Sequence, residues 1–187
     1  MKKTGVIFLD RDGVINEYPG HFKYVTSVSG FRLLPRVKEA LKRLTASGIP
    51  VFVVSNQAGV DKGLYSQKTL DDITEYMLQQ LGGASVFKGI LYCTHAAGRN
   101  CACRKPKTGL LNDAVSVLEK NGYSLDAAKS FFVGDSIIDV ETGKAAGLRT
   151  IMVFSGRETR NNSDKWTIKP DYTAADLYEA VDIILYK

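Results

Sequence analysis

The sequence has no apolar run long enough to cross a bilayer. The first, Val6-Ile7-Phe8-Leu9, stops at Asp10 and is also shorter than a signal peptide's apolar region. The expectation is a cytoplasmic protein that does not engage membranes. There are only three cysteines, an odd number, and in a reducing compartment this argues against a disulfide framework, so their placement matters more than their count. No internal repeat or low-complexity tract interrupts the 187 residues, which leaves one domain with room for a sizeable core. A continuous basic stripe interleaved with aromatics is missing too: the lysines are scattered, so the formal charge of +5 reads as a solvated surface or an anionic metabolite before it reads as nucleic acid. No extended apolar stripe is left over for a partner, and a monomer is the default.

What is present is a regular alternation. Apolar, β-branched runs recur at Val6–Leu9, Val51–Val54, Ile90–Tyr92, Phe131–Val133 and Thr150–Val153, each followed by polar or glycine-containing residues, as strands buried on both faces are. Between them the apolar residues fall at helical spacing. Val37, Ala40, Leu41 and Leu44 follow Pro35, and Leu70, Ile73, Met77 and Leu81 follow Ser66, with Gly48 and Gly82 as stops. Two further sets are Leu111, Ala114, Val115 and Leu118 before Gly122, and Leu177, Ala180, Val181 and Ile184. Strands alternating with single helices imply right-handed crossovers, hence a doubly wound α/β domain with a mostly parallel sheet and helices on both faces. The polar, aperiodic stretch from Ser155 to Asp171 is expected as a surface loop with freedom to move.

In such sheets ligands bind beyond the carboxyl ends of the strands, and those ends are acidic here. Asp10-Arg11-Asp12-Gly13 follows the first run, Ser55-Asn56-Gln57 the second, and Gly134-Asp135-Ser136 the fourth, with Asp139 a turn later. Strand alternation would place Asp10 and Asp12 on one side, with Arg11 directed elsewhere. Carboxylates this close raise one another's pKa unless a cation sits among them, and Mg²⁺ suits a site that also holds a phosphate. Aspartates at strand ends also cap helices. That reading suits Asp139, a first-turn acid, but does not explain why Asp10, Asp12 and Asp135 converge.

All three cysteines and one of two histidines lie in Cys93-Thr94-His95-Ala96-Ala97-Gly98-Arg99-Asn100-Cys101-Ala102-Cys103. Buried free thiols and a redox pair are alternatives. Four metal-capable side chains on one loop with no large apolar residue favour Zn²⁺ held by Cys93, His95, Cys101 and Cys103. With all four positions filled by protein such a zinc is structural, and it would clamp the 93–104 loop that presents Arg104 and Lys105.

Phe8-Leu9-Asp10-Arg11-Asp12-Gly13-Val14-Ile15 resembles the first motif of the haloacid dehalogenase superfamily of phosphohydrolases. Ser55-Asn56, Lys105 and Gly134-Asp135 match its other three motifs in order. The resemblance implies a core in which Asp10 attacks phosphorus, Asp12 serves as general acid and then base, and Asp10, the Asp12 main-chain carbonyl and Asp135 hold Mg²⁺. Many members of the superfamily add a cap domain, but the intervals from Asp12 to Ser55 and from Ser55 to Lys105 are already used by predicted helices and strands, so a capless core is expected. Ser55, the Asn56 backbone and Lys105 would cradle the phosphoryl group, with Gln57, Gly20, His21 and Arg104 near the substrate. Among capless, zinc-containing relatives, DRDGVIN, SNQAGV and CACRKPKTG resemble the heptose bisphosphate phosphatases first and the histidinol-phosphate phosphatases next. Basic loops carrying His21, Lys23, Lys62, Arg99, Arg104 and Lys107 favour a substrate with a second anionic group, a sugar bisphosphate, over one carrying an ammonium. A nucleic-acid 3′-end phosphatase shares the chemistry and is the reading from another class.

Overall fold

The computed structural model describes residues 1–187. Its strands are β1 (Lys2–Thr4), β2 (Ile7–Leu9), β3 (Val51–Asn56), β4 (Gly89–Cys93), β5 (Tyr123–Leu125), β6 (Phe131–Gly134), β7 (Arg149–Val153) and β8 (Tyr172–Ala174). Its α-helices are α1 (Val37–Ser47), α2 (Gln67–Leu81), α3 (Gly109–Lys120), α4 (Ile137–Ala145) and α5 (Leu177–Tyr186). The helix signals act where the sequence places them. Ser66 Oγ accepts the Thr69 N–H at 3.0 Å to start α2, and Gly48 and Gly82 end α1 and α2 with φ of 72° and 92°, a conformation that costs a residue with a Cβ.

Six strands form one parallel sheet in the order β4-β3-β2-β6-β7-β8, while β1 and β5 pair by themselves. Side chains alternate across the sheet. Ile7, Leu9, Val53, Val133 and Ile151 face α1, α5 and the Ile73/Met77 stripe of α2. Phe8, Phe52, Val54 and Phe132 face Leu110, Leu111, Ala114 and Leu118 of α3. Phe8 stacks between Phe52 and Phe132, with centroids 6.0 and 6.4 Å away, and burying each ring contributes about 1.5–3 kcal/mol. No helix is long and apolar enough to cross a membrane.

The register fixes the site. Leu9 pairs with both Val53 and Val133, so Asp10 emerges level with Val54 and Gly134, one residue short of Ser55 and Asp135. From β2 the chain winds outward to β3 and β4, then returns to β6 on the other side of β2. Asp10 therefore stands at the switch point where a doubly wound sheet opens a crevice. The connections from β2 to β3 and from β3 to β4 contain α1 and α2 respectively.

Candidate active site

The chain leaves the sheet sharply after β2. The Arg11 carbonyl accepts N–H bonds from Val14, Ile15 and Asn16 at 3.3, 2.8 and 3.1 Å, so strand alternation does not extend through Asp12. Arg11 consequently does not point away, as alternation would have it. It is fully buried and its guanidinium folds under Asp12, with Nε 3.1 Å and Nη2 2.9 Å from Oδ1. Asn16 Nδ2 and Gln57 Nε2 each donate to Asp12 at 2.9 Å. Burial alone would raise the Asp12 carboxyl, but Arg11 foremost, then Gln57 and Asn16, hold it below the ordinary carboxylate range. Gln57, expected to face the substrate, instead lies beneath the floor: it is fully buried, and the Tyr65 hydroxyl donates to its Oε1 at 2.9 Å.

Beside this clamp stands a buried ammonium among carboxylates. Lys105 Nζ lies 2.9 Å from Asp10 Oδ2 and 2.6 Å from Asp139 Oδ1. Desolvation disfavours its charge, but the two acids outweigh that and raise its pKa, so Lys105 stays protonated. Asn56 fixes the lysine's main chain reciprocally, donating to the Lys105 carbonyl and accepting its N–H, both at 3.1 Å. Asp139 does cap α4, accepting from the Ser136 N–H and hydroxyl at 3.1 and 2.6 Å. Its other oxygen faces the lysine, a second role that the capping reading did not contain.

Asp10, Asp135 and Asp139 bring carboxylate oxygens within 4.8 Å of one another. Burial, with Lys105 opposing and Asp139 adding, pushes Asp10 up to about 6, and burial together with the Asp139 and Asp10 charges raises Asp135 well above its usual range. Two acids forced toward protonation at one point mark a place where a cation is wanted. Ser55, at the end of β3, lowers the Asp10 pKa from that side of the group, and its Oγ accepts from Gln57 Nε2 at 3.1 Å.

The start of the Ser155–Asp171 stretch is no free loop. Ser155 Oγ donates to the Gly13 carbonyl at 2.7 Å, the Arg157 N–H donates to Asp135 Oδ2 at 2.7 Å, and the Glu158 N–H donates to the Asp135 carbonyl at 3.0 Å. Only glycine fits at 13 and 156, since a Cβ at either would come within 2.1 Å of Asp135 Oδ2. Further on, residues 160–165 form a 3₁₀ helix, and Trp166 Nε1 donates to Glu158 at 2.9 Å. A polar sequence without period hid an anchored loop because two of its anchors are backbone N–H groups and the others are single polar side chains.

These residues line a cleft of about 380 Å³. Asp10, Asp12, Ser55, Asn56, Lys105 and Asp135 are in it, as are Gly20 and His21. Arg104 is not: its Nη1 donates to the His95 carbonyl at 3.1 Å, which turns the guanidinium behind the cysteine loop. Other foreseen cations are likewise engaged elsewhere, Arg99 with Asp61 at 3.0 Å and Lys107 with Asn100 at 2.6 Å. Tyr18, Lys23, Tyr24 and Arg157 line the cleft as well, and of these only Lys23 was among the residues expected to act.

The cysteine loop closes on itself. Cys93 Sγ lies 3.5 Å from Cys101 Sγ and 3.2 Å from Cys103 Sγ, Cys101 and Cys103 are 3.4 Å apart, and His95 Nδ1 is 3.3 Å from Cys103. These sulfurs are too far apart for a disulfide of about 2.05 Å. They are close to the edges of a tetrahedron built on Zn–S bonds of about 2.3 Å.

Fold and site together define a hydrolase of the haloacid dehalogenase kind, and the family model described as HAD-hydrolase-like matches residues 102–180. The D-glycero-D-manno-heptose-1,7-bisphosphate 7-phosphatase of Chlorobaculum tepidum is 34% identical over 97% of this chain and 94% of its own. The D-glycero-beta-D-manno-heptose-1,7-bisphosphate 7-phosphatase of Haemophilus ducreyi is 32% identical over 96% of each. Among solved structures, the D,D-heptose 1,7-bisphosphate phosphatase from B. bronchiseptica, complexed with magnesium and phosphate, superposes with a TM-score of 0.80 at 30% identity, over 99% of this chain and 98% of that one. The chain belongs to this heptose bisphosphate phosphatase family of the haloacid dehalogenase-like hydrolases.

Proposed function

We propose that the protein removes the 7-phosphate of D-glycero-D-manno-heptose 1,7-bisphosphate by way of a phosphoryl group carried on Asp10. The observation that supports this most is the buried Lys105 ammonium set between Asp10 and Asp139 at the head of a polar cleft, in a chain whose relatives bear that activity in their names. Asp10 Oδ attacks phosphorus, so that a new P–O bond forms as the bond to the sugar oxygen breaks. Lys105 holds the attacking carboxylate in place and faces the negative charge of the phosphoryl oxygens. Asp12 is kept as a carboxylate in the free site, the form that accepts a proton from the water that later attacks phosphorus. The arriving phosphate anion raises its proton affinity, so that Asp12 takes up a proton from solvent as the substrate binds and gives that proton to the departing sugar oxygen in the first step.

The donor set fits Mg²⁺. Asp10 and Asp135 offer hard oxygens, and the Asp12 main-chain carbonyl accepts no hydrogen bond from the protein, while Asp139 is already taken by Lys105 and Ser136. When bound, the ion supplies neutralisation of charge on the phosphoryl oxygens. Three thiols and an imidazole fit a structural Zn²⁺ at Cys93, His95, Cys101 and Cys103, which would fix the loop leading into Lys105.

Purified enzyme with Mg²⁺ should be compared by kcat/KM on the heptose bisphosphate, histidinol phosphate and a 3′-phosphorylated oligonucleotide. The heptose bisphosphate is expected to lead by at least about a hundredfold, the worth of one well-made pair of charge-assisted contacts. A lead for histidinol phosphate or the oligonucleotide would overturn the assignment.

A further inference from the structure

Hydrolysis at one phosphate leaves the second to be recognised, and the cations foreseen for that work are not in the cleft. Arg104 and Lys107 line a separate hollow of about 240 Å³ on the far side of Lys105, where both donate to carbonyls of the cysteine loop. Lys105 is committed to Asp10 and Asp139, and Arg11 is sealed beneath the floor. The positive charges that line the cleft without an ion pair are Arg157 and Lys23.

Arg157 is the better placed of the two. Its side chain is exposed and makes no hydrogen bond or salt bridge, although its main chain is anchored. The N–H is bonded to Asp135 Oδ2 at 2.7 Å, and Gly156 before it is pressed against the same carboxylate. The neighbouring acid that could have neutralised it, Glu158, is turned away to Trp166 Nε1 and Asn162 Nδ2 at 2.9 and 2.8 Å. The Arg157 backbone is thus fixed beside the carboxylate that borders the reacting phosphate, while its guanidinium, with five unused donors, lines the cleft unpaired. Its planar fork suits two oxygens of a phosphate.

We propose that Arg157 is a specificity-determining residue: it binds the phosphate that is not hydrolysed, and so selects a phosphomonoester bearing a second phosphate over the same sugar with one. This rests on the bisphosphate reading above. Arg157 touches the distal end of the substrate and takes no part in bond breaking.

The test compares wild type, Arg157→Gln and Arg157→Lys on heptose 1,7-bisphosphate and on heptose 7-phosphate. Wild type is expected to prefer the bisphosphate. Arg157→Gln should lower kcat/KM for the bisphosphate about 10- to 100-fold more than for the monophosphate, chiefly through KM, and lysine should restore part of the difference. Equal losses on both substrates would mean that the side chain acts on the phosphate being hydrolysed and not on the second one, and would overturn the proposal, as would an undiminished preference in Arg157→Gln. A wild-type enzyme that does not distinguish the two substrates would overturn the bisphosphate reading and this inference together. A wild-type preference that survives Arg157→Gln would overturn this inference alone.

Discussion

Replacing Arg11 by methionine removes a buried cation and leaves the packing volume nearly filled. Three N–H···O contacts to Asp12, at 3.1, 2.9 and 3.2 Å, disappear together with one to Gln57 at 3.1 Å. Asp12 retains only the neutral donors Asn16 and Gln57, each at 2.9 Å. Breaking a buried pair from one side costs about 3–5 kcal/mol because the remaining charge is stranded. With a urea slope of about 2–3 kcal/mol/M, the unfolding midpoint should drop by roughly 1–2 M. Adding Asp12→Asn removes the stranded charge, so the double variant should be less destabilised than the two single changes sum to, with a coupling of about 2–3 kcal/mol. Activity offers a second reading. A mispositioned Asp12 should depress kcat/KM by about 10²–10⁴ for an alkyl phosphate, whose leaving oxygen needs a proton, and far less for p-nitrophenyl phosphate, whose leaving group does not. Additive stabilities, or equal losses on both substrates, would refute the idea that Arg11 works through Asp12.

Two more predictions concern metals. Asp10 and Asp135 have folded-state pKa values raised above the unfolded value of 3.8, Asp10 to about 6, so their contribution to stability is present below the unfolded value and is lost as pH rises through the folded ones. Mg²⁺ competes with those protons; its increase in melting temperature should therefore be larger at about pH 7.5 than at about pH 5, and an equal or larger increase at the lower pH would contradict the assigned site. Elemental analysis of the purified protein should find about one zinc per chain, and Cys101→Ser should lower both zinc content and melting temperature. Zinc-free protein with three reactive thiols would reject the tetrahedral site.

Much of the fold was readable because burial writes itself into spacing. The apolar runs at 51–54 and 131–133 and the helical stripes of α1, α2, α3 and α5 each have the period that their packing requires. Elements without such a period were not foreseen. The helix α4 buries Asp139, Thr142 and Gly143 beside Val140, because it packs on the site and the sheet through polar and small residues and so lacks an apolar stripe. The three-residue strands β1, β5 and β8 are too short to show alternation. At the site, Asp10, Asp135 and Lys105 were legible from their places after strands and beside the cysteine cluster. Arg11 was misplaced because a turn replaces the strand at residue 11, and Asp139 was half read, since one carboxylate both caps a helix and pairs with a lysine 34 positions away. Arg157 could have been noticed from the Ser155-Gly156-Arg157 triplet directly after the β7 run and Phe154, the same sheet edge that supplies the acids, although nothing in the sequence announces a main-chain bond to Asp135.

The account turns on Asp10 as the acceptor of the phosphoryl group. Rapid acid quench of the enzyme during turnover of the bisphosphate, followed by peptide mass spectrometry, should find one phosphoryl group on the peptide containing Asp10, accumulating in Asp12→Asn and missing in Asp10→Asn. Release of inorganic phosphate at a normal rate by Asp10→Asn, or a phosphoryl group trapped on any other residue, would contradict it.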